Sequence, residues 1–202
     1  MTSGNRIAAG CVLAAVLLAA GIGWPTPRAA AADWGPEQLM QSLRQVKIAR
    51  GRFVERKYLA ILNAPLEFSG TLVYIAPGHL EKDTLLPRAE SMILEQDKLV
   101  VESKEKNQRR TLALQEYPVI WAFVEGIRST LAGDLETLKR FYQVSLEGNE
   151  SRWRLELKPV EPDMQRVVSE IRISGGGSRI STIEIVEAEG DHSIMTITQD
   201  AP

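Results

Sequence analysis

The fold of this chain is decided by residues 66–75, which read LEFSGTLVYI. Every second residue falls on one side, as in a β-strand, and that side carries Leu66, Phe68, Gly70, Leu72 and Tyr74. The other side ends in Val73 and Ile75, so this strand is apolar on both faces. A sheet with one wet face needs only one apolar side, so the pattern predicts that both faces are covered.

Strands of the same kind are predicted on either side of this one. The residues from Gly51 to Arg56 already alternate with a period of two. The later segments are separated by short polar or proline-containing links, and such links join antiparallel neighbours because a parallel crossover needs a dozen or more residues. The later predicted segments are residues 80–86, 89–96, 98–103, 109–115, 142–146, 153–157, 170–174, 179–188 and 193–198.

Two regions of the chain have helical spacing instead. The first predicted helix begins at Pro36 and extends to Ala49. A second apolar stripe runs from Pro118 to a stop at Gly133, and Asp134 is placed to cap a short third helix. With about 11 strands, the sequence predicts a mainly β fold, a half-open and strongly curved antiparallel β-barrel with helices packed on its concave face.

The N-terminus has the layout of a secretory signal peptide. A short basic region precedes an apolar run and then a stretch of small residues that ends at Ala32. We therefore expect residues 1–32 to be cleaved and residues 33–202 to form a single exported domain. Cys11, the one cysteine, lies in the discarded part, so the mature domain has no thiol for a disulfide, a metal site or a nucleophile.

The balance of charge argues against a nucleic-acid partner. The whole chain has 24 basic and 26 acidic residues, and removal of residues 1–32 takes away Arg6 and Arg28 but no acid. A mildly acidic domain lacks the basic surface that binds a phosphate backbone. We expect no binding to nucleic acid.

The sequence does not predict a catalytic or metal site. His79 and His192 lie near turns, and neither has a second histidine or a thiol at ligand spacing. Neighbouring acids such as Glu187 and Glu189 are ordinary on an acidic surface. We expect no metal, no cofactor and no enzymatic activity.

Two explanations of the two-sided apolar strands remain open. In one, helices cover one face and an ordinary second core covers the other. In the other, the concave side of the sheet and the helix that carries Trp121 and Phe123 enclose an apolar cavity able to hold acyl chains, as larger barrels do. Periodicity alone does not distinguish a cavity from a solid core.

Four segments of the chain occur in an order that is similar to a known family. They are FVE at residues 53–55, GTLVYIAPGHL at 70–80, LEQDKL at 94–99 and WRLELKP at 153–159. Together they resemble the periplasmic lipoprotein carriers of the LolA family. The resemblance implies a half-barrel closed by a helical lid. Its apolar cavity would take the acyl chains of a lipoprotein from an inner-membrane release complex and hand them to an outer-membrane acceptor.

This resemblance and the two-sided strands together lead us to expect a periplasmic carrier. It would be a monomer that shuttles lipoprotein or other acylated lipid cargo from the inner to the outer membrane. The apolar cavity would be lined by Phe53, Leu66, Phe68, Leu72, Tyr74, Met92, Leu94, Trp121, Phe123, Trp153 and Leu155. A sensor or receptor module of the same fold, which binds a lipid or a protein without transporting it, remains the alternative.

Three positions depart from the family pattern. Ala76 precedes Pro77 where the family usually has an arginine that hydrogen-bonds the lid. The pair Glu81-Lys82 stands where an aromatic residue and an arginine are expected, and the usual Asp-Gly turn reads Gln96-Asp97. The chain therefore resembles a divergent branch, and we expect its lid control, partners and cargo to differ from those of the main lipoprotein carrier.

Overall fold

The structure is a computed structural model that describes residues 34–103 and 105–200. The predicted signal peptide, residues 1–32, lies outside the described residues. The strands of the described part are β1 Ile48–Tyr58, β2 Leu66–Ile75, β3 His79–Leu86, β4 Glu90–Glu95, β5 Lys98–Ser103, β6 Gln108–Ala113, β7 Tyr142–Asn149, β8 Arg152–Pro159, β9 Val168–Gly176, β10 Arg179–Glu187 and β11 His192–Gln199. Its helices are α1 Pro36–Arg44, α2 Pro118–Ala132, α3 Leu135–Phe141 and α4 Pro162–Gln165, with a 3₁₀ turn at Leu114–Glu116.

All strands belong to one antiparallel sheet. The order is β6-β5-β4-β3-β2-β1-β11-β10-β9-β8-β7, so the first and last strands meet in the middle and β6 and β7 form the two edges. Helices α2 and α3 lie between these edge strands in the chain. The sequence prediction of a curved, half-open antiparallel sheet of about 11 strands with helices on one face is confirmed.

The strand register decides which side chains face the helices. Phe53 of β1 lies opposite Gly70 of β2 and Ile197 of β11. Directly opposed residues share a face of the sheet. The same pairing continues outward, and it places all nine strand residues of the predicted cavity on this one face: Phe53, Leu66, Phe68, Leu72, Tyr74, Met92, Leu94, Trp153 and Leu155.

Most of the hydrophobic core lies over one half of the sheet. There, α1, α2 and α3 pack against strands β7 to β10. Trp153 and Leu155 of β8 are buried in this main core, and the Trp153 indole N–H donates to the carbonyl oxygen of Gly177 at 2.9 Å. This half of the concave face is therefore filled by the protein's own side chains.

A second, smaller cluster lies over the other half of the sheet. Leu94, Leu99 and Leu114 are its buried members, and Ile120 and Val124 of α2 pack against them. Helix α2 thus contributes to both clusters. Because the smaller cluster buries far less apolar surface, less free energy is needed to separate α2 from it than from the main core.

The start of α3 and the end of α2 lie at the residues that the sequence predicted, Asp134 and Gly133. The Asp134 carboxylate accepts hydrogen bonds from the Thr137 N–H at 3.0 Å and the Thr137 hydroxyl at 2.7 Å, which caps α3. These bonds hold the pKa of Asp134 below its ordinary value. Gly133 ends α2 with a φ of 66°, a backbone conformation that favours glycine.

Two predicted boundaries are wrong, and one short helix is absent from the prediction. Helix α1 ends at Arg44, not at Ala49, because residues from Ile48 onward pair with β2. Residues 114–116 form a 3₁₀ turn and do not continue β6. The four-residue helix α4 was not predicted, since one turn is too short to show helical periodicity.

Candidate functional site

The two ends of the sheet half formed by β1 to β5 differ in character. In an antiparallel meander, every second connection lies at the same end. The β1–β2 loop and the β3–β4 link therefore share one end, which we call the groove end. The β2–β3 turn, with Gly78, and the β4–β5 turn, with Gln96, share the opposite end, which we call the turn end.

A groove of about 340 Å³ opens on the helix-facing side at the groove end. Small-molecule pockets in proteins span about 300–1,000 Å³, so this volume suits a small ligand or part of a longer one. Its lining combines apolar, polar and charged side chains: Glu55, Lys57, Phe68, Lys82, Thr84, Pro87, Arg88, Ala89, Glu90, Met92, Ser103 and Lys106.

An ion pair lies in the wall of the groove. The Lys82 ammonium donates to the Glu55 carboxylate at 2.6 Å, and the Glu55 side chain is only 9% exposed. The same ammonium lies 5.0 Å from the centre of the Phe53 ring, within the range of a cation–π contact. The pair satisfies a carboxylate that would otherwise be costly to bury. The groove is thus amphipathic, whereas the sequence predicted a purely apolar cavity.

Only some of the predicted cavity residues lie at the groove. Phe68 and Met92 line the groove. Met92 also packs against the smaller cluster, so it connects the groove to the apolar contacts beneath α2. Phe53 is buried beneath Lys82, while Leu72 is partly buried and Leu66 is exposed at the start of β2.

The remaining members lie away from the groove. Leu94 is buried in the smaller cluster, and Trp153 and Leu155 are buried in the main core. On α2, Phe123 packs against the main core, whereas Trp121 is 36% exposed and meets Phe141 edge to face at 5.5 Å. Contact of any of these residues with cargo stays a prediction.

Tyr74 also lies on the helix-facing side, on β2. It is 4% exposed, and within residues 34–103 and 105–200 its hydroxyl has no hydrogen-bond partner. Burial raises the pKa of the Tyr74 phenol. An unpaired buried hydroxyl costs stability, so this group is a donor available to any polar atom that reaches it.

Arg128 of α2 connects the helical lid to the turn end of the sheet. Its guanidinium donates to the Gln96 carbonyl oxygen at 3.0 Å, and its side chain lies against Gly78, where an added Cβ would be 2.8 Å from the Arg128 Cδ. It also pairs with Glu125 one turn earlier on the same helix. The LolA resemblance implies an arginine at the position of Ala76, and here an arginine of α2 contacts the same β2–β3 turn at Gly78.

Several groove residues were missed because the prediction considered only apolar side chains. Glu55, Lys82 and Thr84 alternate with outward-facing neighbours in the same way as Phe53 and Leu72. The period of two in their strands was sufficient to place Glu55 on this face, since it follows Phe53 by two residues. What the sequence did not show is that Lys82, two strands away, would reach it.

The two histidines lie on the opposite face of the sheet. His79 Nε2 is 2.7 Å from the Glu81 carboxylate, and His192 stacks on Tyr58 with ring centres 4.5 Å apart. In the described part of the chain, no three His, Cys, Asp or Glu side chains group in a way that could hold a metal. The helices described there also include none long and apolar enough to cross a membrane.

A second depression, of about 480 Å³, lies near the β7–β8 turn. It is lined by Asn149, Glu150, Ser151 and Gly177. These are turn residues, and the depression is a shallow, solvent-open surface without a large apolar side chain in its wall. We regard the groove at the groove end as the candidate site, because it combines apolar walls with buried charge.

Comparison with protein families identifies the chain. A sequence profile described as outer membrane lipoprotein carrier protein LolA-like matches residues 26–201. The chain belongs to this LolA-like family. The match includes every strand and helix of the described part, and the resemblance drawn from the sequence is confirmed. No curated protein sequence matches the chain significantly.

Several solved structures have a similar arrangement at low sequence identity. A LolA superfamily protein of Nitrosomonas europaea has 11% identity and a TM-score of 0.45, with 83% of this chain and 95% of that chain covered. The MucA/MucB complex of Pseudomonas aeruginosa has 13% identity and a TM-score of 0.43, with 81% of this chain and 55% of that chain covered. LprF of Mycobacterium bovis has 10% identity and a TM-score of 0.37, with 83% of this chain and 93% of that chain covered. We draw no functional conclusion from similarities this weak.

Proposed function

We propose that this LolA-like protein is a periplasmic carrier. It binds the acyl chains of a lipoprotein or lipid-like cargo and shuttles them from an inner-membrane donor to an outer-membrane acceptor, without a catalytic step. The observation that carries the proposal is the groove lined by Phe68 and Met92 on the helix-facing side of a chain that belongs to this family. An acyl chain needs such a wall to leave water.

The two clusters indicate where a chain longer than the groove would go. Over β7 to β10 the helices fill the concave face, and this core includes Trp153 and Leu155 with almost no exposed surface. Beyond Met92 lies the smaller cluster beneath Ile120 and Val124 of α2. An acyl chain that enters beneath α2 would separate these side chains from one another. Its own methylene groups would then cover the apolar surface that the cluster exposes. We propose that cargo displaces α2 at this point.

The energetics suit a carrier. Burying each methylene contributes about 0.8 kcal/mol, so an acyl chain of about fifteen carbons offers roughly 12 kcal/mol before ordering costs are subtracted. Displacing α2 from its contacts reduces the net affinity. This reduction favours release, because cargo held too tightly would not pass to an acceptor.

Native mass spectrometry of the mature protein tests the proposal. Wild-type protein purified from a periplasm should carry acyl-bearing molecules that lipid extraction identifies. Met92→Trp, which fills the groove, should lower the bound fraction severalfold. Ile93→Trp is the matched control, because Ile93 is the adjacent residue on the opposite face of β4 and should leave the bound fraction unchanged.

Three results would count against a carrier. Wild-type protein that is purified empty, and stays empty when incubated with fatty acids or lysophospholipids, would favour a sensor or receptor that binds a protein. Cargo that binds but is never transferred from loaded protein to acceptor vesicles or membranes would favour a lipid sensor. Hydrolysis of the bound lipid, lost on replacement of His79 or His192, would show an enzyme.

A further inference from the structure

The groove end carries large apolar side chains that the fold leaves in water. Five of them belong to the β1–β2 loop, the start of β2 and the end of β3, and we call this set the apolar tip: Ile61 at 89% exposure, Leu62 at 42%, Leu66 at 42%, Leu85 at 59% and Leu86 at 63%. Single exposed leucines are ordinary on soluble proteins. A set gathered at one end of a sheet indicates an interaction surface.

The loop of the apolar tip has a defined shape. The Ala60 N–H donates to the Asp191 carboxylate at 2.8 Å, and the Leu62 N–H donates to the Leu59 carbonyl oxygen at 2.9 Å. Ile61 lies between these two bonds at the outside of the turn. The turn therefore presents Ile61 to solvent in a fixed position, and little conformational entropy is lost when that side chain is buried by a partner.

The apolar tip borders the mouth of the groove. Leu66 lies directly opposite Lys57, which lines the groove, on the helix-facing side. Leu86 is followed by Pro87 and Arg88, which also line it. A surface that covered the tip would therefore lie against the opening through which cargo must pass.

The charges at this opening are mainly positive. Setting aside the Glu55–Lys82 pair, the groove lining has the cations Lys57, Arg88 and Lys106 and the single acid Glu90. Arg88 is 3.9 Å from Glu105, but both side chains are more than 60% exposed, so that pair is weak. This local excess of cations contrasts with the net charge of −2 of the whole chain.

We propose that the apolar tip docks the protein on an anionic lipid bilayer, with its leucine and isoleucine side chains in the interface and Lys57, Arg88 and Lys106 near the lipid head groups. Apolar side chains next to cations are the combination that binds anionic membrane surfaces. This docking rests on the proposed carrier function for its purpose. It lets an acyl chain pass between bilayer and groove with little exposure to water.

Vesicle sedimentation of the mature protein tests this docking. The probes are vesicles of phosphatidylethanolamine with phosphatidylglycerol, and neutral phosphatidylcholine vesicles for comparison. Wild-type protein should bind the anionic vesicles, and Leu85→Asp combined with Leu86→Asp should weaken this binding at least tenfold. Ile48→Asp combined with Ile75→Asp is the matched control, because it adds the same charge at two exposed residues of the turn end. Ile48 is 54% exposed and Ile75 is 38% exposed, and this variant should bind like wild type.

The outcomes separate docking from cargo binding. After incubation with a soluble fatty acid, acyl content measured by native mass spectrometry should be the same for the tip variant and for wild type, since Leu85 and Leu86 do not line the groove. Wild-type protein that ignores anionic vesicles, or a tip variant that binds them as well as wild type, would overturn the docking proposal and leave the carrier proposal standing. In the latter case the tip would instead be a site for a protein partner. Normal docking by a protein that never holds an acyl chain would overturn the carrier proposal alone.

Discussion

Replacing Arg128 by methionine should destabilise the protein chiefly because it leaves the buried Glu125 carboxylate without its cationic partner. Arg128 is the charged partner of Glu125, whose side chain is 9% exposed and whose other hydrogen bond comes from the Ser129 hydroxyl at 3.2 Å. Removing one partner of a buried ion pair costs about 3–5 kcal/mol. The Arg128 side chain is 23% exposed, which favours the lower end, about 3 kcal/mol. For a domain of this size that corresponds to a fall in Tm of about 6–12 °C.

A double variant distinguishes the effect of the unpaired Glu125 carboxylate from that of the lost hydrogen bond between Arg128 and Gln96. Glu125→Gln combined with Arg128→Met removes both charges and leaves only the missing bond to the Gln96 carbonyl, so about 1 kcal/mol of the loss should remain. Urea unfolding followed by tryptophan fluorescence measures both changes. Amide exchange should also quicken along α2 in the single variant. If the double variant were as unstable as Arg128→Met, the reasoning from the buried carboxylate would be refuted.

Three further substitutions test the packing around the groove and the lid. Tyr74→Phe should raise the unfolding free energy by about 1 kcal/mol, since the hydroxyl has no partner in the described part of the chain; a lower urea midpoint would show that water satisfies it. Gly126→Ala should cost about 1–3 kcal/mol despite a better helix propensity, because the new Cβ would lie 2.6 Å from the Tyr142 ring, and Tyr142→Leu should remove most of that extra cost in a double-mutant cycle. Asp134→Ala should cost about 1 kcal/mol at neutral pH. Because the folded state lowers the pKa of Asp134, the difference from wild type should hold above pH 3.8 and vanish as the pH falls through the folded-state pKa; a difference that persists in stronger acid would contradict it.

The strands could be predicted closely because the alternation of side chains that marks a strand is visible in consecutive residues. Residues 66–75 and 98–103 were predicted with the bounds that the structure gives, since alternation and short turns are both written in consecutive residues. The end of α1 could not be found in this way. Helical spacing continues to Val46, and only the pairing of Ile48 with Ile75, far along the chain, decides that the segment is already a strand.

The site was harder to predict than the fold because it depends on which parts of one face remain uncovered. The strand register places Trp153 and Phe68 on the same face, yet the helices cover the first and leave the second in the groove. Helix position is a tertiary property that no strand pattern encodes. The pairing of Glu55 with Lys82 and the reach of Arg128 to Gln96 likewise join residues that are distant in sequence.

The position of the edge strands has a mechanical consequence for the lid. The segment that contains α2 and α3 starts from β6 and returns to β7, so it is tethered at both margins of the sheet. It cannot swing outward like a flap fixed on one side. To admit something thick, the lid must slide or tilt between its two anchors, or the margins must spread and stretch it. The length of the segment between β6 and β7 therefore sets an upper limit on the thickness of a molecule that the protein can enclose.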